Sequence, residues 1–74
     1  MRSKEIREQT STNIATNLRK FRAIQKISQK KLASKVGVDQ AAITRLENGS
    51  RHMLAEELPL FATAFGVSVD ELLN

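Results

Sequence analysis

The chain has no cysteine, one histidine, one proline and three glycines among its 74 residues. Without cysteine there is no disulfide framework, no thiolate metal site and no cysteine nucleophile. His52 stands alone, with no second histidine within ligand spacing, so no metal is expected. No apolar run approaches the roughly 20 residues needed to cross a bilayer. The opening Met1-Arg2-Ser3-Lys4-Glu5 lacks the apolar core of a signal peptide, so the expectation is a cytoplasmic protein with no membrane partner. There is no Gly-rich phosphate loop, no carboxylate pair beside a histidine and no Ser–His–Asp set in a plausible context. Neither an enzyme nor a cofactor is expected.

What is present suits one small globular domain, 41% hydrophobic and 27% charged. A core this thin leaves roughly 3–5 kcal/mol of net stability, so tidy helix packing, a partner subunit, or both are needed. Charge is segregated along the chain. Residues 1–18 balance Arg2, Lys4 and Arg7 against Glu5 and Glu8, a net +1; residues 19–51 carry nine Lys or Arg against Asp39 and Glu47, a net +7; residues 52–74 hold four acidic residues and no Lys or Arg, a net −4. A basic middle and an acidic end fit a domain with one face toward a polyanion. A merely solvated surface would account for the charge alone equally well.

Gly37, Gly49 and Gly66 cut the chain into short blocks of helical period. No stretch alternates apolar and polar residues long enough for a sheet. The expectation is an all-α fold, a compact five-helix bundle, with residues 1–11 a flexible or partly helical arm and 12–74 the domain. Helix one is predicted from about Thr12 or Asn13 to Gln25, capped by Ser11 or Thr12, with Ile14, Leu18 and Phe21 on one face. Helix two starts at Ser28 as cap and ends at Gly37, burying Leu32, Ala33 and Val36. Helix three is capped by Asp39, buries Ile43 and Leu46 and stops at Asn48-Gly49. Helix four runs from about Ala55 or Glu56 to Phe65, with Pro59 in or near its first turn. A short fifth helix follows the cap Ser68. Phe21, Phe61 and Phe65 read as core or interface residues rather than base-stacking platforms.

Helices two and three are separated only by Gly37-Val38-Asp39, so they must cross steeply. Counted from Gln29, Ala33 falls at position 5, Gly37 at 9, Ile43 at 15 and Leu46 at 18. A small residue at the close approach, a turn residue free to take positive φ, and two apolar anchors are what a helix-turn-helix requires.

On the run from Ser28 to Gly49, together with the tail from Leu58 to Leu73, the chain resembles the DNA-binding domain of the Cro/phage-repressor (XRE) family. The resemblance covers about residues 13–73 and implies a lambda-repressor-like fold. It also implies a sequence-specific regulator of transcription that binds double-stranded DNA, with a recognition helix at about Gln40–Glu47 in the major groove. Gln40, Ala41, Thr44 and Arg45 are then the base-contacting residues: Gln40 suits adenine, Arg45 guanine, and Ala41 or the Thr44 methyl a thymine methyl. Ser28, Gln29, Asn48, Ser50 and Arg51 are the implied phosphate contacts, with Gln29 also placed to brace Gln40. Lys30, Lys31 and Lys35 are expected to act only as a general electrostatic field. Arg22 and Glu47 match a mostly buried structural ion pair of the family. The chain departs from the family's pattern in its longer arm and in a Ser50-to-Leu54 loop without proline.

One such domain reads only a few base pairs, so a homodimer on a pseudo-palindromic operator is expected. The candidate interface residues are Leu54, Leu60, Val67, Val69, Leu72 and Leu73, any of which could instead complete the core. Occupancy of the operator would block RNA polymerase or recruit it by contact, according to position, as in a phage Cro-like repressor, a plasmid regulator or a restriction–modification controller. The alternative is a protein-interaction module, such as an antitoxin that masks a partner.

Overall fold

A computed structural model describes residues 2–74; Met1, the first residue of the expected arm, lies outside it. The described residues form five α-helices and no strand: α1 (Ser3–Gln25), α2 (Gln29–Val36), α3 (Gln40–Asn48), α4 (Leu58–Phe65) and α5 (Val69–Leu73), with a 3-10 turn at Ala55–Glu57 before α4. None of the helices among the described residues is long and apolar enough to cross a membrane.

The most deeply buried side chains come one from each helix: Leu18, Leu32, Ile43, Phe61 and Leu72, all at 0% exposure. Ile14, Ala33, Val36, Leu46, Ala62 and Phe65 complete the core around them. Phe21 tilts against Phe65 with ring centroids 5.5 Å apart, close enough for an aromatic contact beyond simple burial.

The first helix begins at Ser3, nine residues before Thr12. No glycine or proline interrupts residues 3–25, and local bonds carry the helix through the polar stretch. The Arg2 amide donates to Glu5 Oε2, Lys4 lies 4.0 Å from Glu8, and Gln9 donates to Asn13. Ser11 and Thr12 therefore cap nothing. Thr12 donates back to the Glu8 carbonyl, and Ser11 Oγ sits 2.8 Å from His52 Nδ1. At about 1.5 Å per residue, 23 residues span roughly 34 Å, close to the 36 Å long axis of the molecule.

The start of the fourth helix also differs from expectation. Pro59 has no N–H, and its ring crowds the carbonyl four residues earlier, that of Ala55. The Leu58 amide bonds that carbonyl in the tighter 3-10 manner, and α-helix begins only at Leu58.

Side-chain amides on α1 hold the ends of the last two helices. Asn13 donates to the Leu73 carbonyl, Asn17 to those of Leu72 (2.8 Å) and Glu71, and Gln25 to that of Phe65. These carbonyls lie in last turns, where helices lack internal partners. A five-residue helix is too short to persist alone; α5 is held by these bonds, by its Ser68–Glu71 capping box and by Leu72.

Leu72 was a candidate for a surface between subunits, and the structure places it in the core instead. Its side chain is fully enclosed in the core, while Val67, Val69 and Leu73 are half-buried and Leu54 and Leu60 are each 50% exposed. Leu72→Ala should thus lower the unfolding free energy by about 2–5 kcal/mol, most of what a domain of this size has. Urea unfolding followed by circular dichroism reads this directly. Unchanged stability with weakened self-association would return Leu72 to an outer surface.

Candidate nucleic-acid interface

α2 and α3 meet across the three-residue turn expected from the sequence. Ser28 caps α2 by accepting from the Lys31 amide, and Asp39 caps α3 by accepting from the Ala42 amide at 2.8 Å. Gly37 closes α2 at φ +88°, in the left-handed region where a side chain would be strained. The amides of Gly37 and Val38 both return to the Ala33 carbonyl, which turns the chain sharply into α3.

α3 has two distinct faces. Ile43 and Leu46 are buried in the core and Glu47 is buried beside them. Gln40, Ala41, Thr44 and Arg45, spaced i, i+1, i+4 and i+5, are all exposed and share the opposite side of the rod. The structure thus brings these four together on one accessible surface. Lys30, Lys31 and Lys35 of α2 are exposed as well.

The inner end of α3 is fixed by charge. Arg22 of α1 reaches Glu47 with Nε 2.6 Å from Oε2 and Nη2 2.9 Å from Oε1, and its Nη1 donates to the Ile27 carbonyl. The Arg22 and Glu47 side chains are 22% and 5% exposed. Burial pushes the Glu47 carboxyl up, but hydrogen bonds from Arg22 and Gln29, with the charges of Arg22 and Arg19, outweigh it and hold the group below its ordinary 4.5. The hydrogen bond to Glu47 raises Arg22 further above its already basic value, against the opposing effect of burial.

Gln29 does not brace Gln40. Its Nε2 donates to Glu47 Oε1 at 3.1 Å, and its Oε1 accepts from the Thr44 hydroxyl at 2.8 Å. Thr44 lies a turn beyond Gln40 and shares the side of α3 that Gln29 faces.

Past α3, the Asn48 side chain accepts from the Ser50 amide, while the amides of Ser50 and Arg51 fold back to the Arg45 carbonyl. Arg51 is turned inward. Its Nη2 lies 2.9 Å from Glu57 Oε2, and Nη1 is enclosed without a partner. Glu57 also accepts from the Leu54 amide. Burial pushes the Glu57 carboxyl up; the Leu54 amide and Arg51 prevail and leave it below 4.5. Among the described residues no group of three His, Cys, Asp or Glu is arranged to hold a metal.

Two contributors escaped sequence reading. Arg19 donates to the Glu47 carbonyl, supplying a cation at the C-terminal end of α3. Its position one turn before Arg22 puts both on one side of α1, which is the signal that could have found it. Glu57 is the second, pairing with Arg51 and accepting from the Leu54 amide. Its partner Arg51 lies six residues back across an irregular loop, and no periodic spacing marks such a pair.

The helix-turn-helix family model matches residues 18–72. Among solved structures, a hypothetical transcription factor, NHTF, from Neisseria superposes with a TM-score of 0.83 at 28% identity, over 88% of this chain and 75% of that one. The clp gene regulator ClgR from C. glutamicum gives 0.79 at 28%, over 86% and 83%. The restriction-modification controller protein C.AhdI from Aeromonas hydrophila gives 0.79 at 27%, over 84% and 94%.

The pH dependence of stability follows from Glu47 and Glu57. A carboxyl whose folded value is depressed stabilises the fold above its unfolded value and loses that contribution as pH falls through the folded one. Stability should therefore decline as pH drops below 4.5. Glu47→Ala alone should cost about 3–5 kcal/mol by stranding Arg22. The double change Arg22→Met with Glu47→Leu should recover most of that loss and show a shallower acid decline. Thermal melts between pH 2 and 7 would check both, and an unaltered acid profile in the double variant would refute the assignment to Glu47.

Proposed function

The chain belongs to the helix-turn-helix family, and from that premise we propose that it is a transcriptional regulator that reads double-stranded DNA with α3. The observation that carries this reading is the exposed row Gln40, Ala41, Thr44 and Arg45 on a helix whose other side is locked into the core by Ile43, Leu46 and Glu47. A rod held this way can enter a major groove without the protein reorganising. The surrounding segment 19–51 carries the net +7 that draws it to the phosphate backbone, while residues 52–74 carry the acidic net −4.

In this reading Arg45 forks onto guanine, Gln40 pairs with adenine and Ala41 contacts a thymine methyl. Ser28 and Gln29 at the start of α2, and Asn48 and Ser50 beyond α3, contact phosphates. Arg51 contributes positive potential there while remaining tied to Glu57, so its removal weakens the loop as well as the binding. Two copies pair through Leu54, Leu60, Val67, Val69 and Leu73 and place their α3 helices in half-sites about one helical turn apart. Occupancy of the operator then excludes or engages RNA polymerase according to its position, with repression the simpler outcome.

Selection of bound DNA from random duplexes tests this reading. A consensus of two inverted half-sites is expected, and sedimentation should show a dimer on that DNA. Arg45→Ala should relax preference at one base pair in each half-site by about 1–3 kcal/mol and leave the other positions as they were. Failure to enrich any duplex would refute the proposal, and would favour recognition of protein instead.

A further inference from the structure

Gln29 links the buried ion pair to the exposed side of α3, and the polarity of that link is determined by chemistry. A side-chain amide has one donating end and one accepting end, whereas an ionised carboxylate only accepts. Glu47 is held ionised by Arg22, so the amino end of Gln29 must face Glu47 Oε1, 3.1 Å away. The carbonyl end is thereby committed to Thr44, 2.8 Å away. A carbonyl cannot donate, so the Thr44 hydroxyl must. Its other protein neighbour, the Gln40 carbonyl at 3.2 Å, also only accepts. The single hydroxyl proton of Thr44 is directed back into the protein from both sides. Exposed Thr44 is left with oxygen lone pairs and a methyl to offer outward.

We propose that Gln29 is a positioning residue for base reading, which by binding the Thr44 hydroxyl proton makes Thr44 an acceptor-only group on the DNA-facing side of α3. This rests on the reading of α3 as the recognition helix. In the major groove an acceptor suits the exocyclic amino group of adenine or cytosine. It opposes guanine O6 or thymine O4 at the same point, because two acceptors would meet with no proton between them. The discrimination originates in the protein interior. The charge of Arg22 keeps Glu47 ionised, Glu47 orients Gln29, and Gln29 sets the polarity of Thr44.

The test has two arms. In the free protein, three-bond NMR couplings about the Thr44 Cα–Cβ bond should report a single rotamer, and Gln29→Met, of similar length but unable to bond, should shift them toward averaged values, since only the longer 3.2 Å contact to the Gln40 carbonyl remains. On the selected operator, the dissociation constant is measured for every single base-pair change in a half-site and divided by that for the operator, so a general loss of affinity cancels. Thr44→Val, which keeps the shape and loses the hydroxyl, should flatten discrimination at one base pair from about tenfold to about twofold. Gln29→Met should flatten the same base pair to the same degree, and the double variant should go no further. Unaveraged Thr44 couplings in Gln29→Met would overturn the proposal, as would flattening at a different base pair or at none. Thr44→Val with full discrimination would overturn it too while leaving α3 as the reading helix. A wild-type protein that prefers no sequence would overturn the reading of α3 itself, and the proposal with it.

Discussion

The contact between Arg22 and Glu47 is the constraint on which the exposed face of α3 depends. α3 has only nine residues, and a helix of that length does not hold its direction by itself. Ile43 and Leu46 bury one side of it, but apolar packing carries no directional bond. The two-pronged bond from Arg22 to Glu47 supplies that direction, and Arg19 on the adjacent carbonyl reinforces it. Ile43 and Leu46 thus set which side of α3 faces out, and the charge pair on the far side of the helix holds it there.

The same group does more than hold. Glu47 has two oxygens, and one of them also accepts from Gln29. A buried carboxylate costs free energy unless its lone pairs are satisfied, and here one satisfying donor belongs to α2, the helix that precedes α3. One hydrogen-bond network thus runs from the buried ion pair through Gln29 to Thr44 on the exposed side of α3.

The rest of the fold follows from how little core 74 residues can supply. Helix ends, which in a larger protein meet many neighbours, are closed here by particular side chains. Glycines in the left-handed conformation end α2, α3 and α4, and the amides of Asn13, Asn17 and Gln25 occupy last-turn carbonyls of α4 and α5. The long α1 therefore serves as the post to which the C-terminal helices are tied. Leu72 belongs to that arrangement, which is why it is unavailable to a second subunit.

Most of the helices were legible in the chain because their signals are local. Ser28, Asp39 and Ser68 as caps, Gly37, Gly49 and Gly66 as stops, and the spacing of Ala33, Ile43 and Leu46 all act within one or two turns of chain. Errors arose where a local signal had a competitor. Ser11 and Thr12 look like caps, but nothing before them breaks the helix; Pro59 does lie in the first turn of α4 as expected, but Ala55–Glu57 before it form a 3-10 turn instead of the helix start. What the sequence by itself determined was the helix-turn-helix and the outward side of α3, since helical periodicity separates Ile43 and Leu46 from their neighbours. Only the tertiary structure decided that Gln29 bonds Thr44 rather than Gln40, that Arg51 turns to Glu57 and that Leu72 lies inside. Each depends on groups brought together by the crossing of separate segments, and distances across such crossings are not written in the spacing of residues along a chain.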